Sequence, residues 1–220
     1  MTASAPQPAR TGYRRGAETR ERILAVALSA FGLRGFDAVS TREIAEAARV
    51  NLPAIQYYFG SKQGLYRACA GHIVDRYVAA ALPTSRAAET VLSGGDAAAA
   101  RQSLSDVMLA LAQFLMRTGD AQGAALFIQR ELADPGAGFD ILFEQLWRPG
   151  VELVGQLISA ARSTPGAGPA RLEAIHLISG LTAFASGRAA IDRLLPPGAD
   201  LAADLCRLVE RQIAALVQPR

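Results

Sequence analysis

At 220 residues, half of them hydrophobic and with a formal net charge of +3, the chain can bury one or two cores and is too apolar to remain unfolded. Two cysteines far apart, Cys69 and Cys206, exclude a disulfide scaffold and fit a reduced, cytoplasmic compartment. The first 16 residues lack the apolar stretch of a signal peptide, and the uncharged run 174–187 is too short to span a bilayer, so a soluble protein without a membrane partner is expected.

Residues 1–16 read as a disordered basic arm carrying Arg10, Arg14 and Arg15. From there helical periodicity dominates and no run alternates like a strand, so the fold is expected to be all-α. Helix one is predicted over Glu18–Leu33, with Ile23, Ala27 and Phe31 on one face, Leu24 and Leu28 beside it, and Gly35 as its C-terminal stop. Ser40 and Glu43 form a capping box that opens helix two, whose inward positions are Ile44, Ala45 and Ala48. Asn51 caps helix three, which tolerates Pro53 in its first turn and faces the core with Ile55 and Phe59. Ser61 caps helix four, predicted to run to about Leu82, with Pro83 as the boundary. Three regions follow: the arm 1–16, a helix-turn-helix domain with its connecting helix at 17–82, and a helical domain at 83–220. Within the last, helices are predicted at 97–117, 121–133, 137–148, 150–163, 169–191 and 199–217. They are punctuated by Ser93-Gly94-Gly95, Pro135-Gly136, Pro149, and the Pro/Gly runs at 165–169 and 196–198.

Charge singles out the N-terminal part. Residues 1–80 hold 11 Lys+Arg against 6 Asp+Glu (11 − 6 = +5), and the remainder 12 against 14 (12 − 14 = −2). Two short helices around a tight turn are the unit that sets a recognition helix in the DNA major groove. With Ile55 and Phe59 inward, helix three presents Pro53, Ala54, Gln56 and Tyr57, with Asn51 and Leu52 at its start. Gln56 suits paired hydrogen bonds to an adenine edge, and Ala54 suits a thymine methyl. Tyr57 and Tyr58 offer hydroxyls to phosphates, and Lys62 places a point charge at the start of helix four. Thr41 and Arg42 open helix two, which crosses the backbone in this geometry; Arg42 is long enough to reach a base. Core packing of the tyrosines and a solvated Lys62 are the alternative for these three.

Residues 18–67 resemble the DNA-binding domain of the TetR family of bacterial transcription regulators, through ILAVALSAFGLRGFDAVSTREIAEAA, Val50 and AIQYYFGSKQGLYRA. STREIA, YYFGSK, LYRACA, and FIQREL followed by a proline and an apolar-aromatic helix are similar to the CecR-type branch. The resemblance implies an all-helical homodimer that represses genes from a near-palindromic double-stranded operator and lets go when a small molecule binds. It would put base contacts on Arg42, Leu52, Pro53, Ala54 and Gln56, and phosphate contacts on Thr41, Tyr57, Tyr58 and Lys62. The turn departs from the family at Arg49, where glycine is usual, and Tyr58 stands where many members have histidine. A left-handed non-glycine residue costs about 1–2 kcal/mol. Either the turn is remodelled, or Arg49 is tolerated and reaches a phosphate.

The C-terminal region needs a dimerisation surface and a cavity. Gly180, Ala183 and Gly187 form a small-residue stripe, and Leu201, Leu205, Leu208 and Ile213 an apolar one; the resemblance implies a four-helix bundle with the partner, and an intramolecular core would use the same residues. Candidate effector-lining residues are Met108, Leu111, Phe127, Phe143 and Trp147, with Leu115 and Phe139 nearby. Arg130 or Glu131 turned inward, or His176, would add the polar groups such a pocket requires. An exposed face, an internal Arg–carboxylate pair or a satisfied core histidine are the alternatives. A helical DNA binder without an effector is the nearest rival. No HExxH, GxGxxG, P-loop or nucleophile elbow is present, so neither an enzyme nor a cofactor is expected.

Overall fold

The computed structural model describes residues 9–117, 121–162, 167–196 and 198–217. Their order is α1 (Ala9–Arg34), α2 (Thr41–Ala47), α3 (Leu52–Phe59), α4 (Lys62–Gly94), α5 (Ala97–Arg117), α6 (Ala121–Ala133) and α7 (Phe139–Leu142). A π-helical turn (Phe143–Trp147) then leads into α8 (Arg148–Ala161), α9 (Ala167–Ser186), α10 (Arg188–Leu194) and α11 (Leu201–Leu216). The described residues are helical without strands, as the periodicity requires.

Two cores share the long α4. The first joins Ile23, Leu24, Leu28 and Phe31 of α1 to Ile44 of α2, Ile55 of α3, and Leu65, Tyr66 and Ile73 of α4. It also takes in Phe127 and Ile128 of α6 and Leu142 of α7, so the three N-terminal helices are roofed by residues from the far half of the chain. The second packs Ala88 of α4 with Leu104 and Met108 of α5, Leu157 and Ile158 of α8, Leu181 of α9, and Leu205, Val209 and Ile213 of α11. Each large side chain fully buried here contributes about 1.5–3 kcal/mol. At the distal end Arg162 ties three helices, donating to the Leu216 carbonyl at 2.7 Å and pairing with Glu173 at 2.7 Å.

Several boundaries differ from the sequence reading. Helix α1 begins at Ala9, so residues 9–16 of the expected arm are helical; residues 1–8 lie outside the described residues. Extending a helix costs less than nucleating one, and Ala9 and the three arginines here favour it against Gly12 and Gly16. Helix α4 does not stop at Leu82 but carries Pro83 within it and runs to Gly94. Burial of Ala88 and packing of Val91 and Leu92 on the second core outweigh the roughly 3 kcal/mol that an internal proline costs. Pro149 causes no break either, because it sits in the first turn of α8, next to the widened π-turn. The expected helix 169–191 is instead two helices bent by 81° at Gly187, where a Cβ would stand 3.0 Å from the Ala183 carbonyl oxygen. Leu201, Leu205 and Ile213 are buried in the chain's own core, leaving only Leu208 of that stripe half-buried.

Candidate nucleic-acid interface

The α2–turn–α3 unit is fixed by local hydrogen bonds. Ser40 Oγ accepts from the Glu43 N–H at 3.2 Å while Glu43 Oε2 accepts from the Ser40 N–H at 2.7 Å, completing the expected capping box. Arg34 pairs with Glu43 at 3.1 Å. The Ser40 N–H, then the Ser40 hydroxyl and Arg34, hold the Glu43 carboxyl down at about 2. At the start of α3 the Asn51 side chain accepts from the Ala54 N–H at 3.0 Å, and at the start of α4 Ser61 Oγ accepts from the Gly64 N–H at 2.9 Å.

Arg49 adopts φ +54°, in the left-handed region. The turn is not remodelled. The Arg49 N–H donates to the Glu46 carbonyl (3.0 Å) and the Val50 N–H to the Ala45 carbonyl (2.9 Å), the two bonds of a Schellman C-cap. Arg22, which the sequence reading passed over, adds a third tie: its Nε donates to the Ala48 carbonyl at 2.8 Å, pinning the end of α2 to α1. These bonds offset the backbone strain at Arg49. Nothing local in the sequence marks Arg22, because its partner lies 26 positions away.

With Ile55 buried, Leu52, Pro53, Gln56 and Tyr57 are exposed and Ala54 is half-buried. Tyr57 is 83% exposed, an unusual position for an aromatic ring unless something else covers it. Tyr58 is half-buried against the first core and meets Tyr57 edge-on at 5.0 Å between ring centroids. Arg42 and Asn51 are exposed beside this face, and Thr41 is half-exposed. Lys62 Nζ stands 4.3 Å from the Phe36 ring centroid, a cation–π contact that holds the ammonium at the head of α4. The expected contact residues thus gather around one helix end and its neighbours, with Phe59 braced inward beneath the Arg20 guanidinium.

The candidate effector residues do not line one pocket. Leu111 and Trp147 line a mostly apolar cavity of about 50 Å³, with Ile73 and Tyr77 of α4, Ile128 of α6 and Ile178 of α9. Met108 and Phe127 are fully buried core residues, and Phe143 stacks on Phe139 beneath Arg148. His176 is exposed, in a surface groove with Leu172 and Gln212, and does not line the interior.

Arg130 and Glu131 lie on the junction between α6 and the N-terminal helices. Arg130 is exposed and donates to the carbonyls of Gly32 (2.8 Å) and Leu33 (3.0 Å), capping the end of α1. Glu131 is the residue that turns inward, 2% exposed, accepting from the Tyr66 hydroxyl at 2.7 Å. Burial and then this hydrogen bond raise the Tyr66 hydroxyl well above its ordinary range, so it stays a donor. Beside them α1 and α6 meet backbone to backbone: a Cβ on Gly32 would lie 2.2 Å from the Gly123 carbonyl oxygen.

Comparison with known proteins follows the same division. Residues 23–69 match the family described as bacterial regulatory proteins, tetR family. Residues 100–218 match the C-terminal domain of the HTH-type transcriptional dual regulator CecR. CecR of Shigella flexneri is 34% identical over 148 residues, which span 66% of this chain and 66% of that protein. A TetR-like transcriptional regulator from Rhodococcus sp. RHA1 superposes with a TM-score of 0.65 at 23% identity, covering 96% of this chain and 99% of that one. AibR, solved in complex with isovaleryl coenzyme A and operator DNA, superposes with a TM-score of 0.67 at 15% identity, covering 92% and 100%. At such identities the two structures speak for the fold alone.

Proposed function

Because the chain belongs to the TetR family of bacterial transcription regulators, with a C-terminal domain of the CecR type, we propose that it is a homodimeric repressor that reads a near-palindromic operator with α3 and releases it when a small molecule binds the C-terminal helices. The observation that carries this reading is the outward face of α3, where Leu52, Pro53, Gln56 and an 83% exposed Tyr57 stand over a buried Ile55. Gln56 and Arg42 address base edges; Ala54, Leu52 and Pro53 supply shape; Thr41, Tyr57, Tyr58 and Lys62 hold phosphates. Asn51 shapes the helix start, since its side-chain oxygen is engaged as the cap.

Dimerisation uses the outer face of α9. Leu172 is 71% exposed, and His176, Gly180 and Ala183 are exposed along the same side. A solvated leucine beside small residues fits a helix pressed closely against its symmetry mate. Release starts at the apolar cavity lined by Leu111 and Trp147. Its volume, about 50 Å³, is far below the roughly 300–1,000 Å³ of a ligand-filled pocket, so an effector must push its walls apart. Those walls include Ile73 and Tyr77 of α4 and Ile128 of α6, the helices that also hold the N-terminal core. Opening the cavity therefore shifts α6, and Arg130 and the Gly32–Gly123 contact carry the shift to α1. A ligand that prefers the opened state lowers DNA affinity by that same preference.

Fluorescence anisotropy with the DNA upstream of the chain's own gene tests the reading. Specific binding over competitor DNA that weakens steeply with salt is expected, with Lys62→Ala weakening all sequences alike. Trp147 is the single tryptophan, so an effector that releases the DNA should also change its emission. Absence of DNA binding at low salt overturns the proposal.

A further inference from the structure

Helices α4 and α5 enclose more than the apolar cavity already described. Tyr77, Leu111 and Phe114 of that cavity also line a second chamber of about 10 Å³, completed by Ala80, Ala81, Thr84 and Ser85 of α4 and by Val107 and Ala110 of α5. Both chambers therefore lie along one seam. On α4, Ile73, Tyr77, Ala80 and Thr84 recur at steps of four, three and four residues, as one helix face requires. From Ile73 to Thr84 that face spans about 16 Å at roughly 1.5 Å per residue. The Tyr77 and Phe114 rings meet edge-on, 5.7 Å between centroids, where the chambers adjoin, and so divide the seam. Beside the second chamber Pro83 brings no N–H to α4, so the helix lacks one of its own bonds there.

The chemistry changes along the seam. Among the described residues no charged side chain lines either chamber. Burial raises the Tyr77 hydroxyl above its ordinary range, so it too stays uncharged. In the first chamber Ile73, Leu115, Ile128 and Ile178 are apolar, and the Thr182 hydroxyl is engaged with the Ile178 carbonyl at 2.9 Å. In the second, Thr84 and Ser85 are half-buried, and their hydroxyls have no hydrogen-bond partner among the described residues. Thr90 and Ser93 further along α4 instead donate to carbonyls four residues back. A charged ligand in the seam would lose its hydration without meeting a counter-charge. We propose that the seam binds an elongated uncharged amphiphile, its apolar tail in the first chamber, its chain between Tyr77 and Phe114, and a hydroxyl or carbonyl head hydrogen-bonded to Thr84 and Ser85. Tyr77 and Phe114 part to admit it, which joins the two chambers. This ligand would be the effector of the proposed function and rests on that reading for its effect on DNA; its binding is measured without DNA, so the two fail separately.

The probes are 1-hexanol, 1-octanol and 1-decanol, with octanoate and octylammonium as charged comparisons, titrated into the full chain by calorimetry and by Trp147 emission. One saturable site is expected, with affinity rising about fourfold per added methylene until the seam is filled. Octanol should bind at least about tenfold tighter than octanoate or octylammonium, because either charge would be buried unpaired. Ala110→Leu fills the second chamber and should remove most of the gain with chain length. Should it fail to fold, Ala81→Leu fills the chamber from the opposite wall and should do the same. Thr84→Val with Ser85→Ala should weaken octanol roughly tenfold, and Thr84→Ser should leave it near wild type. Octanoate or octylammonium binding as tightly as octanol, affinity independent of chain length, unaltered octanol affinity in Thr84→Val with Ser85→Ala, or no response to any alcohol each overturn the proposal. If the alcohols bind as described and operator DNA is not released, the release reading fails and this site stands.

Discussion

The α2–turn–α3 unit and the α6 region are both dense in polar contacts, yet they are built in opposite ways. In the first, most bonds are local: Ser40 with Glu43, Asn51 with Ala54, and Arg49 with Glu46 join residues no more than three apart, and Arg34–Glu43 and Arg22–Ala48 add ties to α1 across 9 and 26 positions. In the second, Arg130 reaches Gly32 and Glu131 reaches Tyr66 across 98 and 65 positions. A reading head held by local bonds keeps its shape while it moves as a unit. A junction held by long-range contacts is where relative movement of the two halves is felt. That contrast supports a rigid reader on an adjustable mount.

Four substitutions test the contrast, beginning at the mount. Gly32→Ala drives a Cβ into the Gly123 carbonyl and should cost roughly 2–3 kcal/mol in chemical denaturation; a neutral result would mean α1 and α6 are not locked there. Tyr66→Phe strips the last partner from a buried carboxyl group and should cost about 2 kcal/mol. An unchanged denaturation midpoint would show that the pair is not holding the junction. Inside the reader the effects should be smaller. Arg49→Gly relieves the left-handed strain, partly offset by glycine's entropy, and should stabilise by roughly 0.5–1 kcal/mol; destabilisation would show that Arg49 makes a contact worth more than its strain.

Acid titration gives the smallest effect. Because the folded-state carboxyl of Glu43 is depressed from 4.5 to about 2, its contribution is full above the unfolded value and is lost as pH falls from about 4.5 through about 2. Glu43→Gln should flatten that part of the stability profile, and an identical acid limb in both proteins would remove the capping box from the account.

The same distinction explains what could be read from the chain alone. Ser40 with Glu43, Asn51 and Ser61 announce helix starts because cap and partner are three residues apart. The bounds of α5 and α6 follow from periodicity in the same way. Pro83 misleads because its local preference is overruled by Ala88 and Leu92 on a core assembled from distant helices. His176 looked like a pocket residue beside Ile175 and Leu177, but the pitch of α9 turns it outward. Arg22, the Gly32–Gly123 contact and the Tyr66–Glu131 pair are partnerships that only the folded chain creates. The inward turn of Glu131 was legible as one of two options at FIQREL, and packing decided between them.

Base reading by α3 is tested at Gln56. Affinities of the wild-type chain and Gln56→Ala are compared across single-base variants of the bound upstream DNA. The wild-type protein should lose roughly 1–3 kcal/mol at one base pair per half-site, and Gln56→Ala should remove this discrimination there while keeping it elsewhere. Full discrimination at every position in Gln56→Ala, with wild-type affinity, would contradict it.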